Sequence, residues 1–104
     1  GDNARGPGIG ILVADWAASH GHSVQGNMVK GASCGIGVLL GEGAQPISIT
    51  ANTIAGARHS VALLAQDTYD GYSAKTLTPQ GGDLLKAGAD VPPLVVMAAN
   101  VTLP

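Results

Sequence analysis

The clearest pattern in the chain is an alternation of apolar and polar residues that begins at Ile47 and ends at Thr53. A period of two places alternate side chains on one face of a strand. The segment therefore predicts one strand with a single buried face. Short apolar runs with β-branched residues predict further strands at 9–14, 28–30, 36–40, 72–77 and 94–103. The first of these is compact enough to predict burial on both faces.

One segment fits either a helix or a strand. Ala57, Val61 and Leu64 recur at helical spacing, which predicts a helix over 57–66. Taken alone, 60–65 also fits the third strand of a meander. We favour the helix.

A second helix is predicted after Thr78 and Pro79, which suit the N-cap and first position of a helix that Gly88 would end. Together these elements predict a β-rich α+β fold: a small antiparallel sandwich or barrel-like domain with one or two short helices. The alternative is an α/β three-layer arrangement.

Length and composition predict one compact domain over 9–104 behind a flexible, glycine-rich N-terminal arm over 1–8. The 104 residues include 16 Gly and no Phe, and only 12% are charged. An ordinary soluble domain carries about 25% charged residues. Because charge normally prevents association, we expect other subunits to cover much of this surface.

Several functional classes are not favoured. The chain has five basic residues without a basic cluster, so we expect no nucleic-acid binding. No apolar run approaches the ~20 residues that cross a bilayer, so we expect no membrane span. Cys34 is the only cysteine and has no evident activating base. His20 and His22 are two positions apart, which places both on the same side of a strand, and His59 could join them only if the fold brings it there. We expect no catalytic residue, cofactor or metal.

Two fragments resemble phage head-decoration (capsid cement) proteins, in which an apolar strand follows a turn of small residues. They are 35–40, GIGVLL, and 90–101, DVPPLVVMAANV. The resemblance implies a small β-rich, non-enzymatic subunit that binds a capsid lattice, usually as a trimer. It also implies a virion or another extracellular assembly as the location.

A third fragment, 47–75, is similar to segments of receiver domains and of ribose-phosphate isomerases of the sugar-isomerase B type. The similarity is carried by Thr50, Ala51, Asn52, Gly56, Arg58 and Lys75. It implies a small α/β enzyme or signalling domain. In such a domain Thr50 and Lys75 would converge near a pocket at the strand ends.

We predict a non-enzymatic structural or assembly subunit, with the α/β enzyme or signalling domain as the alternative. Its predicted partners are copies of itself or a larger protein scaffold. An exposed strand edge offers unpaired backbone groups to a partner. The candidate contact residues are Trp16, Leu94, Val95, Val96 and Met97.

Overall fold

The computed structural model describes residues 8–15, 21–68 and 75–104. These residues form ten strands and contain no helix. In chain order the strands are β1 (Ile9–Asp15), β2 (His22–Gln25), β3 (Met28–Lys30), β4 (Cys34–Leu40), β5 (Ile47–Thr50), β6 (Thr53–Ala55), β7 (His59–Thr68), β8 (Lys75–Gln80), β9 (Val95–Ala98) and β10 (Val101–Leu103). Sheet A has the order β1-β4-β7-β8, sheet B β2-β5-β9 and sheet C β10-β6-β3.

The chain visits sheets A, B and C in turn and then begins again on the next level. Every strand pairing is parallel except that of β7 with β8. Between the parallel strands of sheet A, paired residues are always 25 positions apart: Ile11 pairs with Ile36, and Ile36 pairs with Val61. The described residues therefore form a parallel β-helix of three coils, over 9–30, 34–55 and 59–103.

The core is a narrow aliphatic interior in which side chains stack from coil to coil. The stacks are Ile11, Ile36 and Val61 in sheet A, Val24, Ile49 and Met97 in sheet B, and Val29 and Ile54 in sheet C, where the exposed Thr102 pairs with Ile54 at the third level. Ile36, Ile49, Ile54 and Val61 are completely buried. β-Branched side chains pack well against neighbours on a pleated surface. A cross-section this narrow is filled without any Phe.

Sheets A and C approach each other closely at Gly35. A Cβ atom built there would lie 2.5 Å from Ile54 Cγ2 and 2.7 Å from the carbonyl oxygen of Ser60. Both distances are shorter than van der Waals contact, and one involves backbone that a rotamer change cannot move. The position therefore needs glycine because the backbone of sheet A lies directly against a side chain of sheet C.

An insertion enlarges the third coil. Asn52 follows Asn27 by 25 positions, whereas Asn100 follows Asn52 by 48. The additional chain includes the second half of β7, the antiparallel strand β8 and a loop that returns to sheet B. Within that loop Leu84 is only 7% exposed and belongs to the core cluster. The insertion thus covers part of the open end of the core.

The predicted fold class is wrong. The described residues contain no helix, and all but one of their strand pairings are parallel, so they form neither an antiparallel sandwich nor a barrel with short helices. The alternative α/β three-layer arrangement also requires helices and is contradicted for the same part of the chain. Alternation of polar and apolar residues identifies a strand, but it does not identify the strand's partner.

The helix predicted over 57–66 is wrong. Most of this segment lies in β7, where Val61 pairs with Ile36 and Leu64 pairs with Pro79. The spacing of its apolar residues resembles a helix because both faces of β7 are buried there, so successive apolar residues need not alternate with polar ones.

The helix predicted from Thr78 to Gly88 is also wrong. Thr78 and Pro79 lie in β8, which is an edge strand of sheet A. An edge strand tolerates proline because one side of the strand needs no backbone donor. Turns without helical structure follow the strand.

The strands predicted at 9–14, 28–30 and 36–40 are confirmed as β1, β3 and β4. The strand predicted at 72–77 overlaps β8 in its described part. The strands predicted at 47–53 and 94–103 are each divided into two by a corner, giving β5 and β6, and β9 and β10. Burial of β1 on both faces is wrong, because Leu12 is 49% exposed. Residues 1–7 of the predicted arm lie outside the described residues.

We expect Gly35→Ala to lower the free energy of unfolding by about 1 to 3 kcal/mol, because the added methyl group overpacks the contact between sheets A and C. Gly82→Ala is the matched control, since a Cβ atom at Gly82 meets nothing within 4 Å. Urea unfolding followed by circular dichroism measures both. Equal stability of the two variants would contradict the close approach at Gly35.

Candidate functional site

Three asparagines occupy the same corner of the three coils, between sheets B and C: Asn27, Asn52 and Asn100. The residue before each asparagine has a left-handed backbone conformation, with φ of 70°, 57° and 60° at Gly26, Ala51 and Ala99. This conformation is uncommon for residues other than glycine. It turns the chain sharply and directs each asparagine side chain along the stack.

The asparagine side chains form a hydrogen-bonded ladder, in which Asn27 and Asn52 each donate to the asparagine of the next coil. Asn27 donates from its backbone N and Nδ2 to Asn52 Oδ1, at 2.9 and 3.1 Å. Asn52 repeats both bonds to Asn100 Oδ1, each at 3.0 Å. The Nδ2 groups of Asn52 and Asn100 also donate to carbonyl oxygens of the coil before them, Val24 O at 3.0 Å and Ile49 O at 2.9 Å, whereas Asn27 Nδ2 donates to Gln25 O in its own coil at 3.3 Å. Asn52 is completely buried, and these bonds replace the water that its amide loses.

The two ends of the ladder differ chemically. Among the described residues, Asn27 Oδ1 accepts no hydrogen bond, so the first coil ends the ladder with an acceptor. At the third coil, the backbone N of Asn100 donates to no atom of the described chain, and its Nδ2 has donated only to Ile49 O. The third coil therefore ends the ladder with unused donors.

The insertion covers the outer edge of β7 at the third coil, and its strand β8 becomes the edge strand of sheet A. β8 pairs with β7 from Leu63 to Thr68. Further back along β7, Asp83 accepts hydrogen bonds from the backbone N of Ser60 at 2.7 Å and of Val61 at 3.2 Å. The backbone N of Leu84 then donates to Val61 O at 2.8 Å. Both halves of β7 are therefore protected along this edge.

Asp83 is held as a carboxylate by these contacts. Burial by itself raises the pKa of Asp83, but backbone hydrogen bonds from Ser60, Leu85 and Val61 outweigh it and lower that pKa below its ordinary value. The charged form of Asp83 is therefore the form that closes the edge of sheet A.

Sheets B and C have no such closure at the same level. β9 is the last strand of sheet B and β10 is an outer strand of sheet C. No further strand pairs with their outer edges within the described ranges. We call the outer edges of β9 and β10, with the corner at Asn100 between them, the open edge. Val96, Val101 and Leu103 are 52%, 49% and 44% exposed beside it.

Four of the five predicted contact residues lie at the start of this open edge or within it. Leu94 is half-buried just before β9, Val95 is buried, Val96 is exposed and Met97 is partly buried against the core. Trp16 lies outside the described residues. Whether these residues contact a partner stays a prediction.

A small pocket surrounds Cys34 at one end of sheet A. Its volume is about 190 Å³, and it is lined by Ile9, Ser33, Cys34, Arg58, His59, Leu77 and Pro79. Burial, with a smaller contribution from the negative charge of Asp83, raises the pKa of Cys34 to about 11 against the opposing effect of a hydrogen bond with the Ala62 backbone. The thiol is therefore protonated at neutral pH. A protonated thiol is a poor nucleophile.

The other candidate side chains are not assembled into a site. His22 lies in sheet B and His59 in sheet A, while His20 falls outside the described residues. Within the described part of the chain, no three His, Cys, Asp or Glu residues lie close enough to hold a metal ion. Thr50 belongs to β5 of sheet B and Lys75 to β8 of sheet A, so the two residues of the α/β alternative lie in different sheets.

Sequence reasoning missed the asparagine corner. The signal was a small residue followed by Asn, which recurs after 25 positions as Gly26-Asn27 and Ala51-Asn52. Such an internal repeat is the mark of a solenoid. The third copy, Ala99-Asn100, is displaced by the insertion, so the period is broken after two occurrences.

Comparison with known proteins finds no matching family model, no matching curated protein and no matching solved structure. In the described ranges, no helix is long and apolar enough to cross a membrane.

We expect Asn52→Asp to lower the free energy of unfolding by about 3 kcal/mol at pH 7, because a buried carboxylate would face Val24 O and Asn100 Oδ1 without a proton to donate. Asn27→Asp, at the exposed end of the ladder, is the control and should cost less than half as much. Acid should reduce the loss in Asn52→Asp, since burial raises the pKa of the new carboxyl and its protonated form donates again. Equal losses in urea unfolding would contradict the ladder's role.

Asp83 should make stability depend on acid pH. Its folded-state pKa lies below the ordinary value of 3.8, so its contribution is present above about pH 4 and is lost as pH falls further. We expect Asp83→Asn to lose about 2 kcal/mol at pH 7, and its difference from the parent chain to narrow as the pH falls below about 4. Asp90→Asn, in the same loop, is the control for loss of a carboxylate. A difference from the parent chain that stays constant between pH 7 and pH 3 would contradict this role.

Proposed function

We propose that the chain is a non-enzymatic structural subunit that joins an assembly through the open edge of β9 and β10. Its partner is a copy of the chain or a larger protein scaffold. The observation that carries the proposal is the difference between three neighbouring strand edges: the insertion covers the outer edge of β7, while no strand of the described chain pairs with the outer edges of β9 and β10. An uncovered edge is a template for pairing with another polypeptide.

The surface beside the open edge supports this role. Val96, Val101 and Leu103 expose apolar side chains there. Only 12% of the chain is charged, so little electrostatic repulsion opposes association. A partner strand would gain backbone hydrogen bonds along the edge and would cover these three side chains.

Capsid decoration remains the specific assembly that the resemblance predicts. Of its two fragments, 35–40 lies within β4, at the centre of sheet A, and 90–101 runs through β9 into β10. The second fragment therefore includes much of the open edge. In this proposal a capsid lattice is one scaffold that would supply the partner strand.

Site-specific photo-crosslinking tests the proposal in the cell that makes the protein. A benzoyl-phenylalanine placed at Val96 or at Val101 should give one discrete adduct, because both positions border the open edge. The same probe at Glu42, which is exposed in the loop between β4 and β5 of the middle coil and borders no outer strand edge, is the control and should not give it. Mass spectrometry then distinguishes a second copy of the chain from a scaffold protein. Absence of an adduct at both edge positions, or an equal adduct from Glu42, would overturn the proposal.

A further inference from the structure

We infer that the open edge recognises a strand–asparagine–strand segment of another polypeptide, which lies parallel to β9 and β10 and adds a fourth rung to the asparagine ladder. This inference rests on the proposed function, since it specifies the partner of the open edge. Its basis is the pair of junctions that the three coils make with one another.

The corner hydrogen bonds are the same at both junctions. The residue before each asparagine donates from its backbone N to the next coil, as in Gly26 to Thr50 O at 3.1 Å and Ala51 to Ala98 O at 3.0 Å. The residue after each asparagine donates back to the asparagine carbonyl of the preceding coil: Thr53 to Asn27 O and Val101 to Asn52 O, both at 2.8 Å. Together with the side-chain bonds of the ladder, these contacts define one repeated junction.

The third coil offers one half of that junction. By correspondence with the first two coils, Ala99 N, Asn100 N and the second hydrogen of Asn100 Nδ2 are its donors, and Met97 O and Asn100 O are its acceptors. These groups make no hydrogen bonds to one another, and no other described residue takes the place of a partner. A segment with asparagine at the corner supplies the complementary atoms, because its Oδ1 accepts from Asn100 and its Nδ2 donates to Met97 O.

The stacks specify the rest of the segment. The inward positions five and three residues before the asparagine and two residues after it hold Ile47, Ile49 and Ile54 in the second coil, and all three are completely buried. The residue before the asparagine is Gly or Ala in every coil and has a left-handed backbone. The partner segment is therefore apolar at these three positions, with Gly or Ala before its asparagine.

Because the insertion covers the outer edge of β7, a partner protein that carries this segment cannot also place a strand beside β7. An intact second copy that placed its β2 and β3 on β9 and β10 would bring its β1 to the level of sheet A that β8 occupies. Stacking of an unchanged copy in register is therefore blocked. The partner presents two strands and their corner without a third strand beside β7.

A blocked nine-residue peptide with the sequence of residues 47–55, ISITANTIA, is the probe. It carries the required pattern and is added to the isotope-labelled full chain up to about 1 mM, a concentration that detects weak binding. Backbone and side-chain amide signals of residues 95–103, including the Asn100 side chain, should shift. The same peptide with Leu in place of Asn should bind about tenfold more weakly, because it leaves Asn100 and Met97 unpaired. The reversed sequence controls for composition.

Absence of shifts at the open edge, equal binding of the Leu peptide, or shifts confined to β1, β2 and β3 would each overturn the inference. Crosslinking at Val96 together with an unresponsive peptide would leave the proposed function in place and reject only this partner. Failure of both experiments would reject both.

Discussion

The structure depends on filling the hydrogen-bonding positions of one buried amide. Asn52 has no access to water, and its partners come from the coils on both sides of it: Asn27 and Val24 in the first coil and Asn100 in the third. A shift of one residue in the register of either neighbouring coil would leave donors and acceptors of this amide unpaired, and would also turn the aliphatic stacks outward. The corner therefore fixes the register, and the register determines which side chains form the core.

A solenoid of this kind explains an unusual composition. Each coil adds only a few inward side chains, so small β-branched residues fill the interior and no Phe is needed. Stability comes from contacts between adjacent coils. The consequence is two ends at which strands lack neighbours. At one of these ends the insertion protects sheet A through β8 and Asp83, but it does not extend to sheets B and C.

At that end the outer edge of β7 is covered, while no described strand covers β9 or β10, and this difference is the basis of the proposed role. An edge strand is a liability that proteins usually cover. Here Asp83 accepts backbone N–H groups that a further strand would otherwise satisfy, so the closure of sheet A needs a charged side chain. Beside it, Asn100 keeps donors directed along the ladder. Cys34, by contrast, is a buried and protonated thiol within β4 of sheet A.

Most strands could be located from local sequence patterns, because the alternation around Ile49 and the aliphatic run of β4 depend only on neighbouring residues. These patterns did not determine how the strands pair. Val61 in β7 pairs with Ile36 in β4, which lies 25 positions earlier in the chain. Asn52 turns inward because Asn27 and Asn100 lie on either side of it. Because such contacts join residues that are distant in the chain, they leave no periodicity among neighbouring residues. The sequence of this parallel solenoid therefore predicted an antiparallel domain with helices. Only the tertiary structure placed Asn100 and Met97 at an open edge.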